Sequence, residues 1–123
     1  MIGRLYTSVF PFYDNQLHKM SYKSRPVLIV GQADQNDYVI LPVSKVTNQN
    51  NLDHYYDVPL EPKNYPLTNL KQRSFVRTHK QCTIHQAELV KDIMDFRNTY
   101  PDTYLDIILK MEEFQKNLIS KAL

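Results

Sequence analysis

The sequence predicts a mainly β, α+β domain. A small antiparallel barrel or strongly bent sheet of about five strands occupies residues 3–84, and two helices follow over about 85–98 and 102–121. Three observations point there. Up to about residue 80 the chain is a series of short β-branched and aromatic runs, separated by Pro, Gly, Asn and Asp. After Ile84 the apolar residues shift to helical spacing. The whole chain, 123 residues, has the size of one domain with one modest core.

RLYTSVFPF (Arg4–Phe12) sets Leu5, Thr7 and Val9 against Tyr6, Ser8 and Phe10 in period two, and Pro11 is expected to end the strand. YDNQLHKMSYK (Tyr13–Lys23) then reads as a long loop. VLIV (Val27–Val30) is a continuous β-branched run, fit for a strand covered on both faces. GQADQND is a turn, and YVILPVS (Tyr38–Ser44) is a third strand with a proline near its end. HYYDVPL (His54–Leu60) and RSFVRTH (Arg73–His79) read as the fourth and fifth strands, with the proline-broken EPKNYPLTNL loop between them. Thr83 and Gln86 have capping-box spacing ahead of Leu89, Val90, Ile93 and Met94, which predicts the first helix. Asn98 to Pro101 break it. Ile107, Ile108, Met111, Phe114 and Leu118 form the stripe of the second.

Composition narrows the function. At 42% hydrophobic and 23% charged, the chain is globular rather than disordered. No apolar run reaches the ~18 residues that span a membrane. The N-terminus lacks the charged-then-apolar pattern of a secretion signal, so a cytoplasmic protein is expected. The single Cys82 rules out an internal disulfide and a cysteine-rich metal site. With only Gly3 and Gly31, no glycine-rich loop can cradle a phosphate, so any phosphate must meet side chains. The net charge of +2 is uneven: residues 1–84 carry ten Lys or Arg against six Asp or Glu, and residues 85–123 carry five against seven. A basic body with an acidic tail permits a polyanionic partner.

Few residues carry chemistry. His18, His54, His79 and His85 show no i, i+4 pair with a carboxylate, so no helical zinc site is expected. No serine sits in a nucleophile elbow. That leaves strand ends. Arg25 stands just before the VLIV run, and Ser44 closes the next strand. If these strands pair antiparallel, Arg25 and Ser44 share one rim. Arginine offers five donors in a fork that fits phosphate oxygens, and a nearby hydroxyl can hold or pass a proton. On spacing alone the plainer reading comes first, with Arg25 in a surface ion pair and Ser44 forming a local turn.

GRLYTSVFPFYD, KSRPVLIV, YVILPVSKVT and SFVRTHKQCTI, in that order, resemble the successive blocks of the PemK/MazF family of bacterial toxins. The resemblance covers about residues 3–95. It implies an antiparallel SH3-like barrel, a homodimer, and an endoribonuclease that cuts single-stranded RNA without a metal or other cofactor. The arginine of the family's Arg-Pro pair falls on Arg25 and its active-site threonine on Ser44, which makes these the expected catalytic pair. Arg4 stands where the family usually has an acid, and Cys82 where some members carry arginine. The second C-terminal helix is longer than usual.

RNA supplies its own nucleophile, the 2′-hydroxyl. Arg25 would bind the non-bridging phosphate oxygens, a role worth ~3 kcal/mol or more in the transition state. Ser44 would contact the same phosphate or the leaving 5′-oxygen. The products would be a 2′,3′-cyclic phosphate and a 5′-hydroxyl. No general base is evident. His18 and His79 are the residue type that titrates nearest neutral pH, and each also reads as a plain surface histidine. Lys19, Lys23 and Tyr22 on the 13–23 loop, with Lys45, Arg77, His79 and Lys80 on the rim, are the expected RNA contacts, and Tyr13 or Tyr22 can stack a base. The resemblance also implies an antitoxin. An acidic segment would suit Lys19, Lys23 and Arg25. The alternative is a non-catalytic module on the same barrel that binds nucleic acid or protein.

Overall fold

The computed structural model describes the backbone of residues 1–123 and the side chains of all but residues 10–12. The strands are β1 (Arg4–Asp14), β2 (Lys19–Gln32), β3 (Asp37–Ser44), β4 (Asp57–Leu60), β5 (Ser74–Arg77), β6 (Cys82–His85) and β7 (Leu89–Asp95). They form one curled antiparallel sheet in the order β4-β5-β3-β2-β1-β7, with β6 also on β3. Two helices follow, α1 (Phe96–Thr99) and α2 (Pro101–Ala122). The mainly β class, the curled antiparallel sheet and the presence of two C-terminal helices match the sequence reading, but the sheet has seven strands rather than about five and the first helix is only Phe96–Thr99.

The VLIV run is covered on both faces, as its composition predicts. Val27, Leu28 and Ile29 are fully buried. Leu28 joins Leu5, Leu41, Val43, Val58, Leu60 and Val76 in the main core, while Val27 and Ile29 join Ile40 and Ile84 on the other face. Helix α2 closes the main core. Ile107 is fully buried there, with Tyr104 and Met111 packed beside it at helical spacing. Burying such a side chain is worth ~1.5–3 kcal/mol. None of the helices is long and apolar enough to cross a membrane.

The helix expected over about 85–98 is largely a strand. Leu89–Asp95 pairs with β1, and only Phe96–Thr99 is α-helical. The register runs Leu5↔Met94 then Tyr6↔Asp92, and Thr7↔Lys91 then Ser8↔Leu89. Ile93 and Val90 therefore fall at one-residue bulges, which break period two and leave apolar spacings that look helical. Thr83 lies in β6, and the cap of the turn after it is His85, whose Nδ1 accepts from the Ala87 N–H at 3.0 Å.

The expected loop at 13–23 is instead the end of a hairpin. The β1–β2 ladder continues past Val9↔Ser24 through Pro11↔Tyr22 to Asp14↔Lys19. Pro11 does not end the strand because β7 leaves β1 at Ser8, so beyond that point one side of β1 has no partner and the missing N–H costs no ladder bond. Asp14 Oδ1 closes the turn by accepting from the N–H groups of Gln16 and Leu17 at 2.9 and 3.1 Å. The fourth and fifth strands are shorter than expected, at Asp57–Leu60 and Ser74–Arg77. β5 and β6 lie end to end along β3, at Val43↔Val76 and Ile40↔Cys82, and the gap between them falls at Leu41–Pro42.

Candidate functional site

The β2–β3 ladder includes Leu28↔Leu41 and Val27↔Pro42. Carried two residues further, the same register sets Arg25 opposite Ser44. The structure brings them together: both line one open cleft of about 510 Å³ where the β2–β3 ladder stops, at the end of β3 and midway along β2. Arg25 is exposed and Ser44 half-buried. On its other side Ser44 is held by β5, opposite Phe75.

The cleft is strongly cationic. Lys23, Arg25, Lys45, Lys71 and Arg77 line it, and no Asp or Glu does. Among the described residues, Lys23, Arg25, Lys45 and Lys71 form no salt bridge. Concave walls lined by one sign of charge focus the field and attract polyanions. Arg77 differs. Its Nε is 3.0 Å from Oδ1 of the fully buried Asp57, and it also donates to the Asn51 carbonyl at 2.7 Å. Asn48, Asn51, Asn69 and Gln72 add neutral hydrogen-bonding groups.

Two cleft residues hold left-handed backbone. Val46 has φ +39° and Asn69 has φ +59°. A β-branched residue there is strained by about 1–3 kcal/mol, and such strain collects where a chain must turn sharply around a site. Val46 bends the chain away directly after Ser44 and Lys45.

Of the residues singled out by sequence, Arg25, Ser44, Lys23, Lys45 and Arg77 meet at the cleft. Lys19 and Tyr22 lie further out on the hairpin, both exposed, with Tyr22 at 75%. Lys80 is exposed on the turn after β5 and does not line the cleft. His79 does not line it either. Its ring packs against Tyr56 and Phe114, with centroids 5.9 and 6.0 Å away. Its Nδ1 is buried without a hydrogen bond, 3.8 Å from Asp57 Oδ1. Burial pushes its pKa below the ordinary histidine value, against the pull of Asp57. His18 sits at the hairpin turn with φ +52°. Arg4 is bound to Asp92 at 2.8 Å and approaches Asp95 at 3.8 Å.

Sequence reasoning missed Lys71, Asn48, Asn51 and Asn69. They lie in irregular segments that return to the β2–β3 rim only in three dimensions, and no periodicity marks such a return. Prolines 62 and 66 signalled that the segment was a loop, but not where it lands.

The profile of PemK-like, MazF-like toxins of type II toxin-antitoxin systems matches residues 7–110. The chain belongs to that family, whose members are the toxin halves of such systems. Among solved structures it is similar to the Mycobacterium tuberculosis toxin MazF-mt6, with a TM-score of 0.64 and 14% identity over 92% of this chain and 96% of that one. At that identity the likeness is one of fold. Comparison with curated proteins gives no match.

Proposed function

We propose that the protein is an endoribonuclease toxin. It cuts single-stranded RNA in the cytoplasm, acts as a homodimer, and is held silent by a protein antitoxin. The observation that supports this reading best is the meeting of Arg25 and Ser44 in one open cleft with three unpaired lysines and no carboxylate.

The reaction needs no nucleophile from the protein. The RNA 2′-oxygen attacks the adjacent phosphorus, and the P–O5′ bond breaks. The 2′-hydroxyl proton leaves to a base, and the departing 5′-oxygen takes one up. Negative charge grows on the non-bridging oxygens, where Arg25 donates from a guanidinium carried on β2, next to the buried Val27–Ile29 run. Ser44 holds the same phosphate or the leaving oxygen. Lys23, Lys45 and Lys71 bind the flanking phosphates and align the strand. A rigid groove of this kind supplies orientation, and the arginine supplies charge.

The test is incubation of the purified protein with a long RNA in EDTA, followed by analysis of the new ends. The expected ends are a 2′,3′-cyclic phosphate and a 5′-hydroxyl. Binding of the RNA without new ends would instead identify a non-catalytic module on the same fold. Light scattering checks the assembly: a homodimer has about 29 kDa, twice the 14.6 kDa chain.

A further inference from the structure

A second cleft, of about 430 Å³, adjoins the first and shares Pro26, Asn69 and Leu70 with it. We infer that this second cleft seats one unstacked base of the bound RNA strand, and that the Asn69 side chain reads the edge of that base. The inference rests on the first cleft being the seat of the cleaved phosphate.

The floor of the second cleft is a cross-strand row. Thr7 on β1 faces Pro26 on β2 and Lys91 on β7. The wall is the segment Pro66–Leu70. Pro26, Pro66, Leu70 and Ile93 supply apolar surface of the kind that covers the faces of a base. Lys91 is exposed at the edge, as a phosphate contact must be.

The wall is rigid. Thr68 is buried, and its hydroxyl donates to the Tyr65 carbonyl at 2.7 Å. The Leu67 N–H donates to the Tyr100 hydroxyl at 3.2 Å. Tyr65 and Tyr100 pack edge to face at 4.9 Å. This mounting holds Asn69 in left-handed backbone at φ +59°, where the two clefts meet. Its Oδ1 lies 3.4 Å from Lys71 Nζ, and its amide N–H groups make no hydrogen bond among the described residues. An exposed amide on a held backbone, offering a donor beside an acceptor, matches a base edge with the complementary pair, and a good two-point contact of that kind discriminates by about 1–3 kcal/mol. The second cleft is continuous with the cationic one through Pro26, Asn69 and Leu70, so a strand held in the first by its phosphates can place a base in the second without leaving the surface.

The test uses Asn69→Gly. Glycine adopts the left-handed backbone without strain and removes only the side chain. Cleavage sites on a long RNA are mapped by sequencing for both proteins. The wild type is expected to prefer certain bases at one position near the cut bond, and the variant to lose about tenfold or more of that preference there. An unchanged preference at every position would overturn the inference while leaving the ribonuclease reading intact. If the wild type cuts no RNA, that reading fails and the pocket is tested by binding alone. The probe is then a single-stranded DNA of about eight nucleotides, within the usual site size of small barrels, made abasic at each position in turn. A loss of affinity at one abasic position in the wild type, absent in Asn69→Gly, supports the pocket; equal losses in both proteins contradict it. Should Asn69→Gly fail to fold, Asn69→Asp, which also tolerates this backbone, takes its place in both assays.

Discussion

Arg77 and Asp57 sit opposite each other on β5 and β4, joined by an Nε–Oδ1 contact of 3.0 Å over a wholly buried carboxylate. The carboxylate is completed by the Asp53 N–H at 2.8 Å. Arg77 therefore lines the cationic cleft with its charge already committed. Arg77→Ala strands a buried charge and should cost about 3–5 kcal/mol of stability. Lys45→Ala, at an exposed position, should stay within about 0.5 kcal/mol. Urea unfolding separates them, and equal midpoints would show that the pair carries no structural weight.

The phosphate contacts can be counted by salt. For single strands, each released phosphate contact lowers the slope of log K against log salt by about 0.7. Lys45→Ala and Lys71→Ala should each lose about that much on an RNA whose 2′-hydroxyls are methylated to prevent cutting. Lys80→Ala, outside the cleft, should lose nothing. A slope that falls for Lys80 and not for Lys71 would move the RNA path to the other side of β5.

His79 makes stability depend on pH. Its folded-state pKa lies below the ordinary value of about 6.5. Below about pH 6.5 the unfolded chain takes up a proton that the folded chain still refuses. Its contribution is therefore fully present above that pH and is lost as pH falls through the window beneath it. The charged groups around the ring are Asp57, Asp53, Arg77 and Lys80, and burial against Tyr56 and Phe114 outweighs the two carboxylates. His79→Phe should flatten the acid side of the curve of melting temperature against pH between about 5 and 7. An identical acid limb in both proteins would refute this role.

Helix α2 is part of the core. Ile107 is fully buried beside Phe96 and Leu5. Ile107→Ala should cost about 2–5 kcal/mol. Truncation after Asn98 should give an aggregating protein, because the apolar face of the main core would lose its cover. A truncated chain that stays folded and soluble would mean that the helix serves a partner instead.

The parts of the fold that were legible in the sequence were those fixed by local pattern. The VLIV run, the strand ending at Ser44 and the stripe of α2 declared themselves by composition and period. That Arg25 and Ser44 share a rim followed from strand order, whereas their catalytic roles came only from the family resemblance. β7 was misread because bulges at Ile93 and Val90 scrambled its alternation. The hairpin beyond Val9 was misread because Pro11 looks like a stop unless one knows that no strand pairs beside it there. Lys71 and Asn69 were invisible for a different reason: their place on the rim comes from a loop that closes in three dimensions. His79 looked like a rim residue because nothing in the chain announces that α2 folds back to bury it.

The most direct test of the proposed function is the rate of RNA cleavage by Arg25→Ala in EDTA. Arg25 is exposed, so the variant should keep its fold and melt near the wild type. Loss of a fixed donor aimed at developing charge should reduce the rate by at least about 10²-fold. Ser44→Ala should reduce it less if the hydroxyl positions the phosphate, and by a similar factor if it passes a proton. Cleavage by folded Arg25→Ala at the wild-type rate would contradict the assignment of the β2–β3 cleft as the active site.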